Sequence, residues 1–259
     1  MPGRKDYDID FIYDAQWYKN RAVELEKQVA ELKASNSWRI TASLRWLSAC
    51  LKALRKQVIL VPESALAREY CVGKGLEIGG AAHNPFGLNT VNIDNTGSME
   101  TIFKKKELKS CGKALKVDVV ADGDSLPFHD GCQDFIVSSH VFEHLSNPIK
   151  ALIEWDRVIK PGGIIFMIVP HKERTFDHIS PRTTLEHLIE DYENNETIND
   201  CNYINGKKCH HHVFITEDLV QLVLYMVHEM RMKWELKAVR DIDDKVGNGF
   251  TIVIKKETA

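Results

Sequence analysis

The chain has 259 residues, of which 44% are apolar and 27% charged, and its formal net charge is −3. This length suits one sizeable α/β domain with an appendage, and the near-neutral charge gives no reason to expect nucleic acid as a partner. No uninterrupted apolar run approaches the length that spans a bilayer. Six cysteines without a CxxC pair indicate reduced thiols in a cytoplasmic protein.

Two helical patterns open the chain and predict an N-terminal helical extension over residues 1–62. The first pattern is a short heptad seam typical of a coiled coil. The second predicts an amphipathic helix that Pro62 ends. The two apolar stripes comprise Tyr18, Ala22, Leu25, Val29 and Leu32, followed by Ile40, Leu44, Leu47, Leu51, Leu54 and Val58.

The second of these helices is basic, because no acidic residue occurs between Leu32 and Val61, and Trp38 and Trp46 add amphipathic aromatics. A basic amphipathic helix is typical of a membrane surface or a partner-binding element. Packing against the chain's own domain is the simpler alternative. Three roles therefore stay open for residues 18–58: internal packing, association with itself or a partner, and peripheral contact with the inner membrane.

From Gly73 onward, short apolar runs alternate with helical patterns, which predicts βαβ units and a Rossmann-like, mostly parallel sheet with helices on both faces. The last two strands have the spacing of an antiparallel end to the sheet. Asn147 and Pro148 predict a helix start, and Thr183 and Thr216 are predicted caps of two later helices. We expect strands near Gly75–Ile78, Thr90–Ile93, Lys116–Val120, Asp134–Ser138, Gly163–Val169, Trp234–Arg240 and Phe250–Lys255.

Small and acidic residues follow the first three predicted strands. The strand at residues 75–78 enters a turn of small residues, which lets a ligand approach the backbone closely. Asp94 follows the second strand, where a carboxylate can accept two hydrogen bonds from a ribose. Asp122 follows the third and precedes an apolar Leu126-Pro127-Phe128 run that can cover an adenine ring. The pattern predicts a nucleoside-binding edge, and it does not fit the GxGxxG expected of a dinucleotide site.

Together these segments resemble class I S-adenosylmethionine (SAM)-dependent methyltransferases of the type 11 kind. The match runs from about residue 73 to 170 and includes the stretches at 142–145 and 157–163. The family fold is a seven-stranded sheet with helices on both faces, so the resemblance implies a methyltransferase domain over residues 63–259. One departure concerns Ala81 and His83, which stand where the family turn usually has glycines.

The resemblance implies a role for each matching residue. Gly79, Gly80 and Ala81 would face the methionine part of SAM, and Glu77 would support that turn and the amino group. Asp94 would contact the ribose hydroxyls, and Asp122 with Gly123 would contact the adenine. Ser139 and His140 would line the methionine side.

The segment over residues 171–213 lies where the family places substrate-binding insertions, and it holds six of the 11 histidines. Methylation of an oxygen needs a base, for which histidine is suited near neutral pH. No ligand spacing here is diagnostic of a metal site, so none is assigned. The candidate catalytic residues are His144, His171, His187 and His211, and the candidate substrate contacts are Asp177, Arg182 and His212.

A short N-terminal element suggests the acceptor. Ser37–Trp46 resembles a Ser-Trp-Arg-x-Thr-x-Pro-Leu-Arg element of bacterial O-antigen and surface-polysaccharide enzymes, with Ser43 in place of the proline. The resemblance implies O-methylation of a sugar hydroxyl on a lipid-linked saccharide or growing glycan. It also implies polysaccharide-assembly enzymes as partners. Two alternatives stay open: a methyltransferase for a small metabolite such as a quinone, and a non-catalytic assembly module.

Overall fold

A computed structural model describes residues 64–80, 86–112, 114–197, 203–204, 207–208 and 210–258, together with Lys27. The chain divides between Gln57 and Val58 into two units, and every described residue except Lys27 lies in the second. The predicted helical extension over residues 1–62, its coiled-coil seam and the Ser37–Trp46 element therefore lie outside the described residues, as do Ala81 and His83. Among the described helices, none has the length and apolar content that crossing a bilayer requires.

The described part of the second unit alternates strands and helices. Five α-helices are present: α1 (Ala65–Tyr70), α2 (Ile102–Cys111), α3 (Pro148–Val158), α4 (Leu185–Glu193) and α5 (Thr216–His228). The strands are β1 (Gly75–Ile78), β2 (Thr90–Asp94), β3 (Val119–Val120), β4 (Gln133–Ser139), β5 (Ile159–Pro170), β6 (Tyr203–Ile204), β7 (Lys207–Lys208), β8 (Trp234–Arg240) and β9 (Gly249–Lys256).

Seven of these strands form one sheet in the order β3-β2-β1-β4-β5-β9-β8. The first five run parallel, and β9 pairs antiparallel with both β5 and β8. The predicted Rossmann-like sheet with an antiparallel end is therefore confirmed. Because β1 lies between β2 and β4 at the point where the strand order reverses, a ligand is expected beyond its carboxyl end.

Alternate side chains of the central strands face opposite layers of the core. Ile136 and Ile165 point into the larger cluster, where Trp155 of α3 and Leu222 of α5 are also fully buried. Phe135 and its neighbours on β4 and β5 point the other way, toward Ala67 of α1 and Phe86. Two-sided burial explains the apolar character of these strands, since parallel sheets are covered on both faces.

The predicted helix starts are right for α3 and one residue off for the two later helices. The side chain of Asn147 accepts the N–H of Lys150, so it caps α3 as expected. Thr184, not Thr183, caps α4 by accepting the N–H of His187. Helix α5 begins at Thr216 itself, with Ile215 at the cap position. Each predicted threonine bonds elsewhere: Thr183 accepts the N–H of Val213, and Thr216 donates to Asp241.

Candidate active site

The turn after β1 requires both of its glycines. Gly79 has φ +67°, and a Cβ on it would lie 2.5 Å from a methyl group of Val141. A Cβ on Gly80 would lie 2.1 Å from Oδ1 of Asn92. The N–H of Gly79 donates to the carbonyl oxygen of Ile93 at 2.6 Å. The backbone therefore bends sharply over the end of β2 and leaves no room for larger side chains.

A buried ion pair supports this turn from below. Nζ of Lys104 on α2 donates to the carbonyl oxygen of Gly80 at 2.6 Å and lies 3.0 Å from Oε2 of Glu107. The other carboxylate oxygen of Glu107 accepts the N–H of Leu115 at 2.8 Å. Neither charged side chain is exposed, so each depends on the other and on the main chain for its polar contacts. The sequence analysis missed this pair, because its spacing on α2 resembles that of an ordinary surface salt bridge.

Glu77 on β1 is a buried carboxyl group. Thr90 on β2 donates its hydroxyl hydrogen to Oε2 of Glu77 at 3.1 Å, whereas Oε1 has no hydrogen-bond partner among the described residues. Burial raises the pKa of Glu77 to about 8, against smaller lowering effects from Thr90, Lys245 and Lys104. The free oxygen offers an acceptor for a cationic ligand group, because a positive charge there would favour the ionised carboxylate.

The two predicted nucleoside contacts lie on joined segments. The carbonyl oxygen of Asp94, the last residue of β2, accepts the N–H of Ala121 at 3.0 Å. Its Oδ1 accepts the N–H of Thr96 at 3.2 Å. Asp122 follows at once and opens a turn that Ser125 closes by donating to its carbonyl oxygen at 3.1 Å. Gly123 lies against the side chains of Leu145 and Ile78, so this turn packs on the end of β1.

Helix α3 fixes the same turn from the side. Nε1 of Trp155 donates to the carbonyl oxygen of Gly123 at 2.7 Å, and Oε1 of Glu154 accepts the N–H of Leu126 at 2.7 Å. Arg157 donates to the carbonyl oxygens of Leu126 and Phe128 and to both oxygens of Glu154. The sequence motif at residues 157–163 includes Arg157, but the motif gave no indication that Arg157 bonds to this turn.

Two polar residues lie at the end of β4, on the other side of β1: Ser139 is its last residue, and His140 follows it. The hydroxyl of Ser139 is buried and has no hydrogen-bond partner within the described ranges. His140 adopts φ +56°, which is rare for a residue with a side chain, and its N–H donates to the carbonyl oxygen of Ile168. Because Val141 next to it contacts Gly79, the ends of β1, β2 and β4 and the turn at Asp122 meet along one edge of the sheet.

A first group of histidines and carboxylates lies just after this edge. Glu143 Oε1 is 3.7 Å from Nε2 of His144 and 3.8 Å from Nε2 of His210. Nδ1 of His210 donates to Oδ2 of Asp177 at 2.7 Å. The rings of His144 and His210 meet edge to face with centroids 4.8 Å apart. The insertion therefore brings Asp177 and His210 to the rim of the predicted cofactor edge.

In this first group, burial has the largest single effect on the pKa of Glu143 and on the pKa of His210. It raises the pKa of Glu143 to about 7, with a smaller lowering effect from His210. For His210, burial acts to lower the pKa, but the hydrogen bond to Asp177 and the charge of Glu143 outweigh it and leave the pKa raised. The pKa of about 7 lets Glu143 exchange a proton close to neutral pH, which suits acid–base chemistry.

A second group lies on α4 and the end of the insertion. Oδ2 of Asp191 is 3.7 Å from Nε2 of His187 and 3.9 Å from Nε2 of His212. The rings of His211 and His212 are 4.6 Å apart between centroids. Burial, together with His211 and His187, lowers the pKa of His212 to about 3, so its ring is neutral. The main-chain N–H groups of His211 and His212 both donate to the carbonyl oxygen of Glu143 at 2.9 Å, which joins the two groups.

Two predicted site residues are placed apart from both groups. His171, directly after β5, accepts the N–H of Glu173 at Nδ1 and has Nε2 3.9 Å from Asp241. Its pKa is lowered by burial first and by Arg174 second. Arg182 forms an ion pair with Asp218 of α5 at 2.7 Å. These contacts hold the insertion to β8 and α5.

Comparison with known proteins identifies the central segment. The family described as "Methyltransferase domain" matches residues 70–167, which include β1 to β4, α3 and most of β5. This segment is a methyltransferase domain. The motif-based prediction is therefore confirmed here, and SAM is the cofactor predicted for it.

The curated relatives share parts of the chain. An uncharacterized protein of Methanocaldococcus jannaschii is 35% identical over 106 residues, which are 40% of this chain and 47% of the relative. An uncharacterized methyltransferase of Schizosaccharomyces pombe is 35% identical over 66 residues, or 26% and 22% of the two chains. The chain thus spans less than half the length of these relatives.

Solved structures with a similar fold include two SAM-dependent methyltransferases. One, from Thermotoga maritima, is described as a possible histamine N-methyltransferase; it is 18% identical and covers 85% of this chain and 100% of its own, with a TM-score of 0.47. The other, from Aquifex aeolicus, is 17% identical and covers 80% and 97%, with a TM-score of 0.43. Scores below 0.5 add nothing to the fold that the strand order establishes.

Proposed function

We propose that the protein is a SAM-dependent methyltransferase that methylates a sugar hydroxyl during bacterial surface-polysaccharide biosynthesis. The observation that carries the methyltransferase part is the sheet edge around β1. There the Gly79-Gly80 turn, Asp94, the turn at Asp122 and Ser139 end side by side, next to histidines that can accept a proton.

The residues at this edge fit SAM. The Gly79-Gly80 bend, in which any Cβ would collide with Val141 or Asn92, admits a ligand close to the backbone. Glu77 Oε1 and Ser139 Oγ are buried polar atoms without partners among the described residues, and buried polar atoms are normally satisfied. An ammonium group and a carboxylate, as in a methionine moiety, would supply the missing bonds. Asp94 and Asp122 would then hold the ribose and the adenine.

The acceptor side needs a base, and we assign that role to His144. The cofactor supplies an electrophilic methyl group, so the protein must align the acceptor oxygen and remove its proton. The His144 side chain is 31% exposed and lies beside the buried carboxyl group of Glu143. His144 would accept the proton of the acceptor hydroxyl, and the carboxyl group of Glu143 beside it would stabilise the resulting imidazolium.

The sugar acceptor rests on the resemblance of Ser37–Trp46 to elements of surface-polysaccharide enzymes. A glycan hydroxyl also requires the base that the first histidine group offers, because an unactivated alcohol loses its proton only as it reacts. The basic helix predicted before the domain fits an acceptor carried on a lipid at a membrane surface.

Calorimetry with SAM tests the cofactor assignment. We expect Asp94→Asn to weaken SAM binding by roughly 10-fold or more, because a ribose hydroxyl then faces an amide instead of a carboxylate. Glu100→Gln is the matched control, since that side chain is 83% exposed and its loss should leave affinity unchanged. An absence of SAM binding to the wild type would contradict the enzyme and favour an assembly module.

Mass spectrometry of surface glycans tests the acceptor. A strain lacking the gene should lose one methyl group from a sugar residue, and a gene encoding His144→Gln should fail to restore it. An unchanged glycan, together with methylation of a quinone or other small metabolite by the purified protein, would overturn the sugar proposal but retain the methyltransferase.

A further inference from the structure

The second histidine group combines three side chains from two separate segments. His187 and Asp191 lie one helical turn apart on α4, and His212 approaches from the end of the insertion. One ligand atom from each of His187, Asp191 and His212 lies within 4.8 Å of the other two, and Nε2 of each imidazole lies within 4 Å of Oδ2 of Asp191. Two imidazole nitrogens and one carboxylate oxygen, all able to act as ligands, therefore lie close together.

Burial makes this convergence costly unless something binds between the three atoms. His212 is fully buried, and neither of its ring nitrogens forms a hydrogen bond of normal geometry in the described part of the chain, although main-chain groups of Leu145 and Ser146 are close enough to act on the ring by weak hydrogen bonding. Oδ2 of Asp191 is buried and has the imidazoles of His187 and His212 as ion-pair neighbours, but it has no hydrogen-bond partner among those residues. A buried polar group without a hydrogen bond destabilises the folded state, and more so when it is charged.

The distances favour a cation over direct hydrogen bonds. The 3.7 and 3.9 Å separations from Asp191 Oδ2 to the two imidazoles exceed hydrogen-bonding range. Two ligands bound tetrahedrally at about 2.0–2.1 Å lie roughly 3.4 Å apart. The two distances to Asp191 would have to shorten by about 0.3 to 0.5 Å, and the distance between the two imidazoles by up to about 1.4 Å, to bring all three atoms into a first coordination shell. Rotation of the exposed His187 side chain can supply most of this movement.

We propose that His187, Asp191 and His212 bind one divalent transition-metal ion, with Nε2 of each histidine and Oδ2 of Asp191 as ligands. Two imidazoles and one carboxylate suit zinc and its neighbours better than magnesium or calcium, which prefer oxygen ligands. The His187 side chain is 54% exposed, so solvent can reach the ion and occupy a fourth position.

The ion would join α4 to the end of the insertion. The segment that it holds also donates the N–H groups of His211 and His212 to Glu143, so metal binding would order the acceptor side of the domain. The proposal goes beyond the methyltransferase function and does not depend on it, because metal affinity is measured without SAM or acceptor.

The test uses the full chain stripped with a chelator and titrated with zinc chloride in a calorimeter, with metal content measured by mass spectrometry. We expect one ion to be lost in His187→Gln and in Asp191→Asn, with affinity falling roughly 100-fold or more, beyond the cost of losing an outer-shell partner. His129→Gln, at an exposed site, is the matched histidine control and should bind as the wild type. Far-UV circular dichroism and a cooperative thermal unfolding transition report that each variant is folded.

Three results would overturn the proposal. One is a wild type that binds no zinc, cobalt or manganese. Another is an ion that survives both His187→Gln and Asp191→Asn in folded protein. The third is an ion lost in His144→Gln but not in Asp191→Asn, which would place it in the first histidine group. If the protein bound the metal ion but not SAM, the proposed function would be contradicted and the proposed metal site would stand.

Discussion

The carboxyl group of Glu143 is fully buried, and neither of its oxygens has a hydrogen-bond partner in the described ranges. Its nearest titratable neighbours are His144, His210 and Asp177. Burial raises its pKa from 4.5 to about 7, so the folded state holds this proton more tightly than the unfolded state. The contribution to stability is therefore complete below about pH 4.5 and is lost as the pH rises through 7.

Glu143→Gln removes this dependence. We expect the free energy of unfolding of the variant, relative to the wild type, to increase by about 3 kcal/mol between pH 4.5 and 8. Denaturant unfolding at a series of pH values measures this difference. The matched control is Glu100→Gln, which removes a carboxylate whose side chain is 83% exposed. If the free energy of unfolding of Glu143→Gln minus that of the wild type stayed constant or decreased with pH, the buried, proton-holding state of this carboxyl would be contradicted.

Single residues at the cofactor edge were predictable because the family motifs are local. Glu77, Gly79, Asp94 and Asp122 each sit within a few residues of a strand end, and strand ends follow from apolar runs and turns. Glu143 was passed over in the sequence, since a glutamate before a histidine looks like an exposed residue until its burial is known.

Residues of α3 take part in two tryptophan hydrogen bonds of equal length, one as donor and one as acceptor. The pair allows a matched comparison. Trp155 donates to the carbonyl oxygen of Gly123 at 2.7 Å, whereas Trp234 of β8 donates to Oδ1 of Asp156 at 2.7 Å. Only the first contact reaches the turn that carries Asp122. The two bonds therefore separate support of the cofactor turn from support of the fold.

We expect Trp155→Phe and Trp234→Phe each to lower stability by about 1–3 kcal/mol through a lost hydrogen bond and a smaller ring. Only Trp155→Phe should weaken SAM binding, by roughly 5-fold, because the Gly123 turn loses its anchor. Thermal unfolding and calorimetry measure the two effects. Equal SAM affinities in the two variants would show that α3 does not position this turn.

Helices and strands were predicted well where hydrophobic periodicity determines them. They were predicted less well where side chains take the place of backbone hydrogen bonds between strands. Strand β3 was expected over Lys116–Val120, but only Val119 and Val120 pair with β2. The carbonyl oxygen of Lys116 accepts the side-chain amide of Asn92, and Asp118 accepts the Asn92 N–H. These bonds use the groups that a longer ladder would need. The one-residue error at Thr183 arises because the adjacent Thr184 offers an equivalent hydroxyl group. At the start of α5, Asp218 accepts the N–H of Ile215, so the helix begins at Thr216 without using its hydroxyl as a cap.

At the scale of the whole domain, the histidine groups are assembled by contacts between residues far apart in sequence. His210 meets Asp177 and Glu143 only because the insertion folds back over the end of β4. The sequence could identify the insertion as rich in histidine, and it could not pair those histidines, because no periodicity links residues on different elements. His187 and Asp191 are the exception, since helical spacing places them on one face.

The shared carbonyl of Glu143 has a consequence for solvent exchange. Because the amides of His211 and His212 both end on this one oxygen, a single local opening should expose both hydrogens to deuterium. We expect the two amides to exchange at similar rates, and saturating SAM to slow both by a similar factor if it orders the turn at residues 142–144. Amide exchange followed by mass spectrometry or NMR would reveal this. Independent rates would mean that the far end of the insertion opens independently of the turn at residues 142–144.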